Sequence, residues 1–380
     1  MERTELIDSS IRIILDNQAP SGAYIASPAF PPYAYCWLRD GSFIAYGLLV
    51  SGAAEAPGSA AAFLRWVSRV VLSRTSRIQR AVELSAQGCF EPSAGLPTRF
   101  HLDGRDVDDD WPNFQIDGYG AWIWCLAQYA GRTGNTGLLR ELAPAVALCA
   151  RYLEALWRLP GFDCWEEHGD RVHPATLACV YGGLRAASSI LARQPSGAAP
   201  ELTEVASSAS RCADEVARFV RSAVAPDGTI PKHVGADTVD ASLLWLALPF
   251  GLYGIREPRY RATAQRIQRE LVRDGVKRYA RDTYYGGGSW VLLGAWLGWY
   301  HALEGRMEEA EAMASWIEGQ ADSSGGLPEQ VAATLIDPSF LPVWQARWGP
   351  SARPLLWSHA MYLVLVSSLT NAPDGAPSDW

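Results

Sequence analysis

The stretch GYGAWIWCLAQYAG at residues 118–131 carries no charged residue, and the link Gly131-Arg132-Thr133-Gly134-Asn135 joins it to a further helical segment at 136–157. A helix that is apolar on every side needs protein all round it, whereas a helix with one charged face can lie half in water. Five more charge-free stretches occur, at 41–52 (GSFIAYGLLVSG), 174–184 (PATLACVYGGL), 241–253 (ASLLWLALPFGLY), 286–303 (GGGSWVLLGAWLGWYHAL) and 354–371 (PLLWSHAMYLVLVSSLTN). They alternate with charged segments such as 60–83, holding Arg65, Arg69, Arg74, Arg77 and Arg80, and 201–222, holding Glu201, Glu204, Arg211, Asp214, Glu215, Arg218 and Arg221. Strict alternation of the two kinds predicts six hairpins, each pairing an outer helix with an inner one. That is an all-α fold, the (α/α)6 barrel or six-hairpin toroid.

The expected helices span 3–17, 38–52, 57–83, 116–131, 136–157, 173–192, 200–224, 238–250, 257–274, 287–304, 306–320 and 353–370. Outer-to-inner connections are long (18–37, 84–115, 158–172, 225–237, 275–286, 321–352), and inner-to-outer links are short. In a ring of hairpins all the long loops emerge at one end, where loops of that size build a pocket. Asp40, Asp117 and Asp240 stand where inner helices open and are read as N-caps. Gly286-Gly287-Gly288 lacks the Lys-Ser/Thr of a phosphate loop and reads as close packing at a helix entrance. A single catalytic domain is expected over 1–371, followed by a short tail at 372–380.

With 48% hydrophobic and 19% charged residues, the chain is globular and well supplied with core material. Its 16 tryptophans suit a large core or a flat-faced ligand such as a sugar ring. Net charge is −8 and the cations are scattered singly, so no basic stripe favours nucleic acid as a partner. The six histidines form no HExxH and the cysteines show no metal spacing, so neither a metal nor a cofactor is expected. Seven cysteines are an odd count, several in apolar segments, which points to unpaired thiols in a reducing compartment. The opening Met1-Glu2-Arg3-Thr4-Glu5 has no apolar signal core, and the apolar runs read as core helices instead of membrane spans. A cytoplasmic monomer with no membrane or nucleic-acid partner is the expectation.

Two of the long loops carry acids that suggest chemistry. Loop 158–172 contains Cys164-Trp165-Glu166-Glu167-His168, and loop 321–352 contains Gly325-Gly326-Leu327-Pro328-Glu329-Gln330. Two carboxyls facing each other across an aromatic pocket are the minimum apparatus for cleaving a glycosidic bond. One must hold a proton near neutral pH, which an apolar neighbour such as Trp165 favours, and the other must stay ionised to activate water. Each piece has a plainer reading when taken alone. Trp-Glu-Glu is then a loop with solvated acids, Pro-Glu-Gln a turn entering a helix, and Arg39-Asp40 an ion pair with a cap. Asp106-Val107-Asp108-Asp109 also satisfies the DxDD pattern of class II terpene cyclases, which use α/α toroids too; that reading requires Asp108 deep in an apolar cavity away from Glu166.

Taken together the motifs are far more specific. The order Pro32-Tyr33-Ala34-Tyr35-Cys36-Trp37-Leu38-Arg39-Asp40, Trp111-Pro112-Asn113-Phe114-Gln115-Ile116-Asp117-Gly118, then Trp165-Glu166-Glu167, resembles glycoside hydrolase family 15. So do Arg278-Tyr279-Ala280-Arg281-Asp282-Thr283-Tyr284-Tyr285, Leu327-Pro328-Glu329-Gln330 and Leu356-Trp357-Ser358-His359-Ala360, and the likeness runs from about residue 6 to 370. The resemblance implies an inverting, exo-acting hydrolase that removes glucose from non-reducing ends, on a six-hairpin barrel. By position it implies Glu166 as general acid, Glu329 as general base, and Glu167 as a neighbouring acid that binds the leaving sugar. It further implies that Arg39, Asp40 and Arg278 grip the terminal glucose, with Tyr33, Trp37, Trp111, Trp165, Tyr284 and Trp357 as the aromatic and tyrosyl surroundings.

The chain departs from the family at several points. Larger members carry a β-sandwich or a starch-binding module, for which the expected helices leave no room here. Leu356 replaces a usual threonine, and the stretch from Val331 to Arg353 is long and aromatic, with Phe340, Trp344 and Trp348. These departures bear on the leaving-sugar side. The expected substrate is a short oligosaccharide, with α-1,6-linked glucosides such as isomaltose favoured over α-1,4 malto-oligosaccharides. A trehalase-type activity and a catalytically silent sugar-binding protein are the alternatives.

Overall fold

The computed structural model describes residues 1–194 and 200–370, so the tail expected at 372–380 lies outside the described residues. Thirteen α-helices follow in order among them. They are α1 (Arg3–Asp16), α2 (Leu38–Ser51), α3 (Ala56–Leu72), α4 (Thr75–Ala86), α5 (Asp117–Thr133), α6 (Thr136–Leu156) and α7 (Pro174–Ala192). The remainder are α8 (Pro200–Ser222), α9 (Pro258–Leu271), α10 (Val291–Leu303), α11 (Met307–Glu318), α12 (Leu341–Trp348) and α13 (Leu356–Thr370).

The charge-free segments form the inner ring. α2, α5, α7, the 3-10 helix Ala241–Leu246, α10 and α13 pack in that cyclic order, and α13 closes back on α2. α2 is buried at every position from Leu38 to Leu49, and α5 from Asp117 to Ala130. Such close approach needs small residues. A Cβ on Gly120 would collide with the Cys179 carbonyl of α7, and one on Gly47 with the Ala360 backbone of α13. The outer helices show the other pattern: α8 buries Val205, Ala206, Ala209, Ala213, Val216 and Val220, a single stripe at helical spacing. α7 is long and apolar enough to cross a membrane by composition, and it is mostly buried inside the ring.

Four details differ from the sequence expectation. The helix expected over 57–83 is two, broken at Ser73-Arg74, where the Arg74 guanidinium turns to the Val70 carbonyl (2.8 Å), the Gly104 carbonyl (2.8 Å) and Asp106. No Gly or Pro marks that break; a tertiary anchor makes it. The segment 238–250 is helical only over Ala241–Leu246 and in the tighter 3-10 form, and Pro249 offers no N–H to extend an α-helical ladder. Asp240 does cap it, accepting from the Ser242 N–H at 2.9 Å. Asp40 and Asp117, in contrast, lie inside the first turns of α2 and α5, whose N-caps are Trp37 and Ile116. Lastly, the 321–352 connection, expected as loop throughout, contains α12.

Two short antiparallel ladders tie the long loops together: β1 (Cys36–Trp37) pairs with β2 (Arg99–Phe100), and β3 (Ser289–Trp290) with β4 (Gln330–Val331). The first places the motif residue Trp37 beside a second loop, and the second sets Trp290 against the motif residue Gln330.

Candidate active site

At the mouth of the ring the long loops enclose a cavity of about 560 Å³, within the usual range of small-molecule pockets. All twelve residues singled out from the sequence line it: Tyr33, Trp37, Arg39, Asp40, Trp111, Trp165, Glu166, Glu167, Arg278, Tyr284, Glu329 and Trp357. Glu166 and Glu329, remote in sequence, therefore meet in one space.

Glu166 sits in a tight turn with φ of 67°, in the left-handed region that non-glycine residues rarely adopt. Asp163 enforces the turn. Its carboxylate accepts from the N–H groups of Trp165 (3.0 Å) and Glu167 (2.9 Å), while its carbonyl accepts from the Glu166 N–H (2.9 Å). The Glu166 carboxylate accepts from the Trp37 indole at 2.6 Å and from Gln115 at 3.3 Å. Burial pushes Glu166 above the usual carboxylate range, against the opposing charge of Arg39 and the Trp37 bond.

Glu329 is held from both sides. Its N–H donates to the Ala352 carbonyl (2.9 Å), and its carbonyl accepts from the Val291 N–H (3.2 Å) at the start of α10. The first turn of α13 fixes the preceding residues: Ser358 donates to the Pro328 carbonyl (2.8 Å), and the Leu327 N–H donates to His359 Nε2 (3.0 Å). These two bonds bring Leu-Pro-Glu-Gln and Trp-Ser-His together at the cavity. The carboxylate accepts from the Tyr33 hydroxyl (2.8 Å), which also bonds Tyr284 (2.9 Å), and from Ser351 (3.2 Å). Burial raises Glu329 to about 7.

Arg39 and Asp40 share the first turn of α2. Arg39 donates to Gln115 (2.9 Å) and Asp117 (3.1 Å), lies 3.6 Å from Asp40, and covers the Trp357 ring at 5.3 Å. Asp40, raised to about 7 by burial, keeps acceptor capacity at the cavity. Arg278 forks onto Asp282 with bonds of 2.7 and 2.5 Å and reaches Glu167 at 3.2 Å, while the Tyr279 hydroxyl donates to Glu167 at 2.6 Å.

Sequence reading missed the layer behind these groups. Lys232, buried, lies 3.0 Å from Asp240, 3.6 Å from Asp163 and 3.9 Å from Glu167, and these acids outweigh its burial and hold it protonated. Asp240 in turn accepts from the Trp165 indole at 3.0 Å. Trp290, Trp344, Arg347 and Trp348 also line the cavity. The Glu167–Lys232–Asp240–Trp165 circuit joins residues from two loops, those before α7 and after α8, and no local pattern announces it.

The buried indole N–H groups of Trp290 and Trp357 have no partner among the described residues, and both residues line the cavity, while the Trp111 indole is directed at the Glu166 carboxyl. Buried donors are ordinarily satisfied, so those of Trp290 and Trp357 are available to a hydroxyl-rich ligand. Among the described residues no group of three or more His, Cys, Asp or Glu is placed to hold a metal ion. Asp106 and Asp108 are exposed, with Asp106 paired to Arg74 and Arg77, which removes the buried acid that a terpene cyclase requires.

The same arrangement of loops on a helical ring is found in known proteins. The isomaltose glucohydrolase of Kribbella flavida is 38% identical over 379 residues, covering 98% of this chain and 94% of that protein. A glutamate-to-alanine variant of a glycosidase, solved in complex with glucose, superposes with a TM-score of 0.90 at 37% identity over 97% of each chain. A glucoamylase from Saccharomycopsis fibuligera, only 15% identical, shares the fold, with a TM-score of 0.70 over 96% of this chain and 94% of that one. The model of glycosyl hydrolases family 15 matches residues 2–316, and with its acids gathered in one cavity at the mouth of an (α/α)6 ring the chain belongs to that family of glycoside hydrolases.

Proposed function

We propose that this protein is an inverting, exo-acting α-glucosidase that releases β-D-glucose from the non-reducing ends of short α-gluco-oligosaccharides, isomaltose-like α-1,6 linkages first. The observation that carries the reading is the convergence of Glu166, Glu329 and the Arg39-Asp40 pair on one cavity. The likeness to an isomaltose glucohydrolase supports the linkage preference.

In this reading the terminal glucose lies between Arg39, Asp40 and Arg278, whose forked donors and acceptor fix its hydroxyls rotationally. Glu166, whose carboxyl burial pushes toward the protonated form, gives its proton to the glycosidic oxygen as the C–O bond breaks. Glu329 takes a proton from a water that attacks the anomeric carbon from the opposite face, so the α-linkage yields the β-anomer. That water needs room, and the two carboxyls are expected ~6.5–9.5 Å apart. Glu167, held by Tyr279 and Arg278, receives the leaving sugar. Seven free cysteines, five of them buried, support a reducing, cytoplasmic setting. A monomer without membrane or nucleic-acid partners completes the proposal, and light scattering after gel filtration checks its oligomeric state.

The test is NMR of isomaltose, maltose and trehalose incubated with the protein. Initial appearance of β-glucose from isomaltose is the expected result. First-formed α-glucose would overturn inversion, and no release from any α-glucoside would overturn the enzyme assignment.

A further inference from the structure

Among the described residues α12 is the only α-helix that buries none of its residues. It stands on the turn before β3. The Trp344 indole donates to the Thr283 carbonyl at 2.9 Å, its ring packs edge-on to Tyr284 at 4.9 Å, and the Tyr285 hydroxyl donates to the Gly349 carbonyl at 2.9 Å. From this perch Trp348 meets Trp111, which belongs to the 84–115 loop; their ring centroids are 6.1 Å apart with planes at 26°. Arg99 lies 3.8 Å from the Trp111 centroid, and Arg347 lies 4.6 Å from that of Trp348.

The series Arg99, Trp111, Trp348, Arg347 thus joins one side of the cavity mouth to the other. Two rings at that separation and tilt are in contact with one another, so no sugar ring fits between them. The two ends of this bar are anchored differently. Arg99 is 2% exposed and is bound to Asp109 and to the Pro32 carbonyl (3.0 Å), whereas the α12 end lays half-exposed Trp344 and Trp348 on the rings of Tyr284, Tyr285 and Phe30 without burying a residue of its own. A leaving group longer than the space beneath must displace the α12 end, losing ring and cation–π contacts on the way.

We propose that Trp348, presented by α12, is a specificity-determining residue that sets chain length on the leaving side: it accommodates one sugar beyond the scissile bond and discriminates against longer chains. The preferred substrate class is then an α-linked disaccharide, an inference that rests on the glucosidase reading above and deepens it.

The experiment compares kcat/KM on isomaltose, isomaltotriose and isomaltotetraose for wild type, Trp348→Ala and Val343→Ala. Val343 is 59% exposed on the same helix and is the control. In the wild type kcat/KM falls with chain length. Trp348→Ala narrows the isomaltose-to-isomaltotriose ratio by about tenfold, chiefly through a lower KM for the longer substrates, and Val343→Ala leaves it unchanged. An unchanged ratio in Trp348→Ala overturns the inference, as does an equal loss on all three substrates. Wild-type protein inert toward the entire series overturns the glucosidase reading instead, and this inference with it.

Discussion

At and behind the inner wall of the cavity, Arg39, Asp163, Lys232, Asp240 and Arg278 are each no more than 6% exposed and each is matched by an opposite charge: Arg39 by Asp117, Lys232 by Asp163 and Asp240, Arg278 by Asp282. At the outer rim, α12 buries nothing and leans on aromatic contacts and the Trp344 bond. The contrast separates two tasks. Buried ions are tolerable only when paired, so a change at the inner wall disturbs fold and chemistry together. A change at the rim leaves the core intact and alters which molecules reach the chemistry. On the proposed function, substrate preference could change at this edge while Glu166 and Glu329 stay where they are.

The sharpest way to break the comparison is at the acids themselves. Glu166→Gln and Glu329→Gln are each expected to lower turnover on isomaltose by about 10²–10⁴-fold with the helical circular dichroism unchanged. Wild-type rates in either variant would strip that residue of its role. Next, Lys232→Met removes the cation from among three carboxylates and is expected to lower stability by about 3–5 kcal/mol in urea unfolding. Turnover should fall with it, because Trp165 and the Glu166 turn lose their support. Val343→Ala on the rim should stay within about 0.5 kcal/mol of wild type. Equal stability of the two variants would show that charge pairing does not hold the inner wall.

The pH dependence probes the same wall by a gentler route. Glu329 must be ionised to act, and burial raises it to about 7, so kcat/KM should fall about tenfold per pH unit on the acid side of 7. An acid limb centred near the ordinary carboxylate range would mean that the base sits in a wetter place. Stability should track pH through His359, which burial holds neutral down to about 3 from an ordinary value of 6.5. Between those values the unfolded chain binds the extra proton, so the contribution of His359 is greatest above 6.5 and declines on acidification, by at most about 1.4 kcal/mol per pH unit. Asp40 and Glu329, raised to about 7, pull the other way over the same range, so the sign is read by subtracting the pH 7-to-5 change in unfolding free energy of His359→Asn from that of the wild type. The smallest effect belongs to the rim: Trp344→Phe deletes the bond to Thr283 and should cost about 0.5–1.5 kcal/mol.

Much of this architecture was legible in the chain because the inner and outer helices face different solvents and must differ in charge. The twelve cavity residues were legible for another reason: they lie in contiguous motifs such as Trp165-Glu166-Glu167, whose neighbours share one turn. What escaped depends on distant partners. Nothing near Ser73 marks the helix break, which Arg74 makes by reaching the 104–106 turn. Asp40 and Asp117 occupy positions that suit a cap, yet both face Arg39 instead. Lys232 is an isolated lysine in sequence and a hub only once its loop meets the one that carries Asp163 and Glu167. The aromatic residues of α12 were visible, but an eight-residue amphipathic stretch flanked by prolines carries too weak a periodicity to be told from loop.

Ring closure has a consequence for synthesis. The last inner helix supplies Trp357 to the cavity, and its His359 links Leu327 on one side to Ser10 of α1 on the other, with the Nδ1 contact at 2.9 Å. A nascent chain can therefore assemble five-sixths of the toroid on the ribosome and still have no finished pocket. Contacts that span so much of the chain form late and slowly. Catalytic competence should appear in one step as α13 docks, and a ribosome stalled upstream of it would display folded helices without enzyme.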